Sequence, residues 1–145
     1  ITDENTSVII RLLDGVFHDY KKTIPTNTNF VDVNVKNFTE ALKYLKTFIS
    51  EKTKAPIQWL GNELRLKTIK GMYEVSINTV NTTGEVIAFN CDYMIDALNQ
   101  FDGIANISIG DKGRNILIQQ ENNTALILPV SMKTVVNCFK DKESA

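Results

Sequence analysis

Few residues in this sequence could carry chemistry. His18 is the sole histidine, set among Phe17, Asp19 and Tyr20. An imidazole with neither a nucleophile nor a carboxylate cluster at a known spacing has no partner for proton transfer, and His18 reads as a loop residue. Cys91 and Cys138 stand far apart, with no Cys-x-x-Cys pair and no cysteine–histidine spacing of a zinc site, so both read as reduced thiols. There is no Gly-x-Ser-x-Gly elbow, no His-Glu-x-x-His helix and no glycine-rich phosphate loop. The residues therefore point to binding rather than catalysis, with no catalytic group, metal site or cofactor expected.

Composition narrows what could be bound. The chain has 145 residues, 43% hydrophobic and 23% charged, an ordinary balance for one globular domain. A net charge of -1 excludes a strongly basic nucleic-acid binder, because phosphate affinity is built from clustered Lys and Arg. No apolar run approaches the ~20 residues of a membrane span, and the start Ile1-Thr2-Asp3-Glu4 lacks the features of a signal peptide. A cytoplasmic location is expected.

The elements that position these residues follow from an internal repeat. Val31-Asp-Val-Asn34 through Glu40-Ala41-Leu42 matches Ile87-Ala-Phe-Asn90 through Asp96-Ala97-Leu98 at a constant offset. Each copy opens with a strand, Phe30 to Val33 or Val86 to Phe89, followed by Asn34 or Asn90 as a helix N-cap. In the first helix Phe38, Ala41, Leu42, Leu45, Phe48 and Ile49 face inward, and Lys36, Thr39, Lys43, Lys46 and Ser50 face outward. In the second, Tyr93, Met94, Ala97, Leu98 and Phe101 form the inward stripe, against Asp92, Asp96, Asn99 and Gln100. The period then falls to two, predicting strands at Ile57 to Leu60, Glu63 to Ile69 and Tyr73 to Val80, and at Asn106 to Ile109, Asn115 to Gln119 and Ala125 to Pro129. The expected fold is α+β: a duplicated βαβββ unit with two helices side by side on one face of antiparallel sheets. A lysine stripe alone is ordinarily a solvated helix surface.

The flanks belong to neither repeat. Val8 to Leu13 reads as one more apolar strand, followed by Asp14-Gly15, a connector through Lys21-Lys22, and Ile24-Pro25. Residues 133 to 145 become increasingly polar.

Three segments resemble a known family. Leu12-Leu13-Asp14-Gly15-x-Phe17-x-Asp19-Tyr20-Lys21-Lys22-x-Ile24-Pro25 resembles the signature of the bacterial DNA sliding clamps, the beta subunits of DNA polymerase III. Phe89-Asn90-x-x-Tyr93-Met94-Ile95-Asp96-Ala97-Leu98 is similar to the helix of that family's final domain, and Ala125 to Met132 to its closing strand. The resemblance implies the DNA-clamp fold, with residues 1–25 as the last strand of a preceding domain plus linker, 26–132 as the third, C-terminal domain, and 133–145 as a tail. It implies a non-catalytic processivity factor for DNA replication, a head-to-tail homodimeric ring when full-length. Lys36, Lys43 and Lys46 would face duplex DNA as weak, sequence-independent contacts.

It further implies a pocket for the short clamp-binding peptide of the polymerase III catalytic subunit, the clamp loader and repair proteins. That pocket would draw on His18, Lys22 and Thr23 from the connector, and on Asn90, Tyr93, Gly113 and Asn115. The closing segment would add Leu126, Ile127, Leu128, Pro129, Val130, Ser131 and Met132. His18 stands where the family signature has proline, Ser131 where a basic residue is usual, and the chain runs on past Met132. The alternative reading is a monomeric, clamp-like partner-binding domain that does not encircle DNA.

Overall fold

The computed structural model describes residues 2–3, 6–17, 19–25, 28–51, 54–80, 86–110 and 115–131. A short hairpin, β1 (Thr2–Asp3) and β2 (Thr6–Ser7), precedes a 3-10 helix at Tyr20–Thr23. The first repeat then supplies β3 (Thr28–Asn34), α1 (Val35–Lys46), β4 (Ile57–Leu60), β5 (Glu63–Thr68) and β6 (Gly71–Ser76). A two-residue strand, β7 (Thr79–Val80), leads to the second repeat: β8 (Val86–Phe89), α2 (Cys91–Leu98), β9 (Ile104–Gly110), β10 (Ile116–Gln120) and β11 (Asn123–Ile127).

The two repeats exchange their first strands. β3 pairs with β9 in a five-stranded sheet of order β11-β10-β9-β3-β7, and β8 pairs with β4 in a four-stranded sheet of order β6-β5-β4-β8. Apart from β7 the two orders are the same pattern with the repeats interchanged, so each unit is completed by a strand of the other. All these pairings are antiparallel.

Alternation along the strands decides which face is buried. Val31 and Val33 of β3, Ile57 and Trp59 of β4, Leu64 and Leu66 of β5, and Ile116 and Ile118 of β10 meet Phe38, Leu42 and Leu45 of α1 and Met94 and Leu98 of α2 in one core. Phe38 meets Trp59 edge-on at 5.1 Å between ring centroids. Both helices begin at the expected caps. Asn34 Oδ1 accepts from Asn37 N at 3.0 Å, and Asn90 Oδ1 accepts from Asp92 N at 2.9 Å and Tyr93 N at 3.2 Å.

Several expectations are corrected. Val8 to Leu13 forms no strand, and Ile9 and Leu13 are each 95% exposed: this apolar run joins neither sheet. The single strand expected over Tyr73 to Val80 is two. After β6, Ile77 turns inward with its N–H on Asn62 O at 2.7 Å, and the chain crosses to pair β7 with β3 in the other sheet. The last strand ends at Ile127, because Pro129 has no N–H to continue a ladder. Thr39, assigned to the outward side of α1, is buried. It shares a stripe with Leu42, whose carbonyl accepts from Cys91 Sγ at 3.6 Å, and with Lys46, which pairs with Asp92, so α2 lies along that flank. Tyr93, assigned to the inward stripe of α2, is 66% exposed. The inward positions of α2 are instead Cys91, Met94, Ile95, Ala97 and Leu98.

Candidate functional site

The connector is fixed by local polar bonds. Asp19 caps the 3-10 helix, accepting from Lys21 N at 3.2 Å with Lys22 Nζ 3.8 Å from its other oxygen, and Thr23 Oγ1 donates to Tyr20 O at 2.5 Å. The segment ends at Pro25, which is buried. Asn115, one residue before β10, reaches back to it: Asn115 Nδ2 donates to Thr23 O at 2.9 Å. β10 in turn carries β11, with Leu117 opposite Leu126. Those two side chains lie on the sheet face opposite Ile116 and Ile118, yet Leu117 is only 2% exposed. Leu126 at the sheet edge is partly open.

Beyond β11 the chain turns from one sheet to the other. Val130 N donates to Ala88 O of β8 at 2.7 Å, so the closing segment lies beside the strand that leads into the Asn90 cap and Tyr93. Two hydrogen bonds, Asn115 to Thr23 and Val130 to Ala88, therefore gather the connector, the exit of β11 and the start of α2. Leu128, 74% exposed, and Tyr93 are the large apolar groups left open there, with Pro129 and Val130 half-buried beside them. Lys22 is exposed at the connector.

Of the residues expected in a pocket, Lys22, Thr23, Asn90, Tyr93, Leu126, Leu128, Pro129, Val130 and Ser131 lie on these three segments, and Asn115, just before β10, is bonded to the connector. Ile127 does not face outward: it is 5% exposed and part of the core. Its register opposite Ile116 turns it inward, and its neighbours Leu126 and Leu128 turn out. His18, Gly113 and Met132 lie outside the described residues, as do Cys138 and the tail.

The helix surface is less basic than the sequence of α1 alone suggests. Lys36 and Lys43 are exposed, but Lys46 Nζ sits 2.6 Å from Asp92 Oδ1 of α2. That hydrogen bond and charge hold the Lys46 pKa above its ordinary value. Glu40, Asp92 and Asp96 are exposed on the same pair of helices, so three carboxylates balance three lysines.

Two clefts open at the end of α1, and the second of them adjoins the start of α2. One, of about 310 Å³, opens between the end of α1 and the β5–β6 hairpin, over Phe48 stacked on Tyr73 at 4.0 Å with Tyr44 edge-on to Phe48 at 5.3 Å. The reading of the sequence missed this cluster, although Tyr44 and Phe48 at i and i+4 were its signal. The other, of about 540 Å³, lies between the end of α1 and the start of α2, touching Asn90, Cys91 and Lys46. Cys91 is a buried free thiol, its pKa pushed up to about 11 by burial first and then by Asp92, against the opposing pull of Lys46. Among the described residues no group of three or more His, Cys, Asp or Glu side chains could hold a metal ion. Among them, too, no helix is long and apolar enough to cross a membrane.

No family model matches the chain. It is 29% identical over 138 residues to the beta sliding clamp of Chlamydia pneumoniae, covering 89% of this chain and 37% of that protein. The fold matches a DNA polymerase III beta subunit of Eubacterium rectale, described as putative, at a TM-score of 0.72 and 21% identity, over 85% of this chain and 36% of that one. It matches the sliding clamp of Bacillus subtilis at a TM-score of 0.68 and 26% identity, over 83% of this chain and 35% of that one. The chain spans just over a third of the length of these proteins. In sequence and in fold alike, it resembles a portion of the bacterial sliding clamps, the beta subunits of DNA polymerase III.

Proposed function

We propose that this chain is the third domain of a sliding-clamp-type replication processivity factor, a non-catalytic tether that holds DNA polymerase and other partners on duplex DNA in the cytoplasm. On this reading residues 1–25 belong to a preceding domain and its linker, 26–132 form the clamp domain, and 133–145 are a tail. The observation that carries the proposal is the meeting of the connector, the β11 exit and the start of α2 through Asn115–Thr23 and Val130–Ala88. An apolar face rimmed by Lys22, Asn90 and Asn115 suits a short peptide: apolar anchors gain roughly 25 cal/mol per Å² buried, and the polar rim fixes direction. The partners would be the polymerase III catalytic subunit, the clamp loader and repair proteins.

Two features support assembly into a ring. Among the described residues β6 ends one sheet and β11 ends the other, and the two edge strands differ in sequence, GMYEVS against NTALI. Distinct edges at two ends are what a head-to-tail closed ring uses. The exposed Val8 to Leu13 run fits a strand that completes a neighbouring domain's sheet. Lys36 and Lys43 would meet phosphates, with Lys46 shared with Asp92.

The balanced charge of the helix surface favours a second reading, a monomeric partner-binding domain that does not encircle DNA. Both readings need the peptide face. Titration with a short synthetic peptide, a glutamine followed by large apolar residues, tests it. Changing Pro129 and Val130 together to Glu is expected to weaken binding at least about tenfold, equivalent to about 1.4 kcal/mol. Changing Lys36, Lys43 and Lys46 to Ala should leave it unaltered. The opposite pattern would remove the assignment.

A further inference from the structure

We infer that Asp92 limits the grip of the helix surface on duplex phosphates: it holds Lys46 across the two repeats, leaving Lys36 and Lys43 as the contacts, and loss of its charge frees a third. The inference rests on the reading of that surface as the one turned to DNA. Lys46 Nζ lies 2.6 Å from Asp92 Oδ1, and both side chains are more than half exposed, so the pair sits where a phosphate can reach it. Lys36 and Lys43, seven residues apart, share one side of α1, whereas Lys46 lies on the stripe of Thr39 and Leu42 that borders α2.

Exposed ion pairs are ordinarily weak, and two further observations strengthen this one. Lys46 is the last residue of α1 and Asp92 stands in the first turn of α2, so each charge sits at the helix end whose dipole favours it. Cys91, next to Asp92, is buried and donates from Sγ to Leu42 O at 3.6 Å, which holds the start of α2 against the last turns of α1. A phosphate that takes Lys46 must therefore displace Asp92 and leave that carboxylate beside it, well inside the ~8 Å over which charges act at physiological salt. Asp96, one turn further along α2 and exposed, adds to the negative field on Lys46. In the second repeat Asp92 takes the place that Lys36 has in the first, so α2 brings a counter-ion where α1 brings a contact.

Duplex binding by the full chain, titrated between about 0.02 and 0.15 M salt, tests the inference. Each phosphate contact adds about 0.9 to the slope of log affinity against log salt. Asp92→Asn is expected to bind more tightly at the low-salt end and to steepen the slope by about 0.9. Asp96→Asn, the same change of net charge, should steepen it by less than half as much. In a Lys46→Ala background, Asp92→Asn should leave the slope unaltered. Equal steepening with and without Lys46 would reduce Asp92 to its general charge and overturn the inference, as would an unaltered slope in Asp92→Asn itself. The variant Lys36→Ala/Lys43→Ala separates the two readings. If it binds duplex as well as the unchanged chain while Asp92→Asn still acts through Lys46, the Asp92 inference stands and the placement of Lys36 and Lys43 against DNA falls. Binding by none of these proteins overturns both.

Discussion

Val130 shows how one backbone N–H can position a surface. Pro129 cannot donate, so the ladder of β11 stops short of it, and the next N–H turns to Ala88 on the other sheet. Replacing Val130 by Pro removes that donor and leaves Ala88 O without its partner. A loss of about 1–3 kcal/mol in urea denaturation is expected, with Val130→Ala losing less. Cys91 offers a second check. With its pKa pushed up to about 11 from 9.0, its thiolate fraction near pH 8 falls about a hundredfold. In a C138S variant, alkylation of Cys91 at pH 8 should be slower than in the unfolded chain by at least that factor. The linkage sign is that of a raised pKa: the contribution to stability is whole below pH 9 and fades as pH rises from 9 towards 11. Not every residue was legible. The stripe that reads Tyr93 as inward is one position too wide, since Met94 and Ile95 already fill that side of α2. Ile127 erred the other way, because its neighbours on either side are the outward ones.

At the scale of elements the sequence is informative where the rule is local. Asn34 and Asn90 announce both helices, and β4 and β8 begin and end as their alternation predicts. Replacing Asn34 by Ala should cost about 1 kcal/mol in thermal or urea unfolding and leave peptide binding unaltered. Asn90→Ala should cost a similar amount and also weaken the peptide, because the same cap sets Tyr93. Strand exchange between the repeats was not legible, for alternation says which face of a strand is buried and nothing about which sheet receives it. The same gap explains β7: continuity of pattern from Tyr73 to Val80 conceals a crossing made by Ile77 and its bond to Asn62. Lys46 was misjudged for a related reason, as its partner Asp92 comes from the other repeat.

For the whole molecule, the edge strands β6 and β11, unpaired on their outer sides among the described residues, and the exposed apolar run at residues 8–13 set expectations for the chain on its own. It should sediment without forming a closed ring and bind duplex DNA no more tightly than about 1 mM at 0.15 M salt, since the helix surface is balanced in charge. A stable ring of this chain alone would contradict its reading as one domain of a longer clamp. The most direct test of the central claim is a map of where a clamp-binding peptide lands. In amide NMR titration with the glutamine-plus-apolar peptide, the resonances of Thr23, Tyr93, Leu126, Leu128 and Val130 are predicted to shift together along one binding curve. Shifts confined to Phe48, Ile69 and Tyr73, around the cleft at the end of α1, would contradict the account.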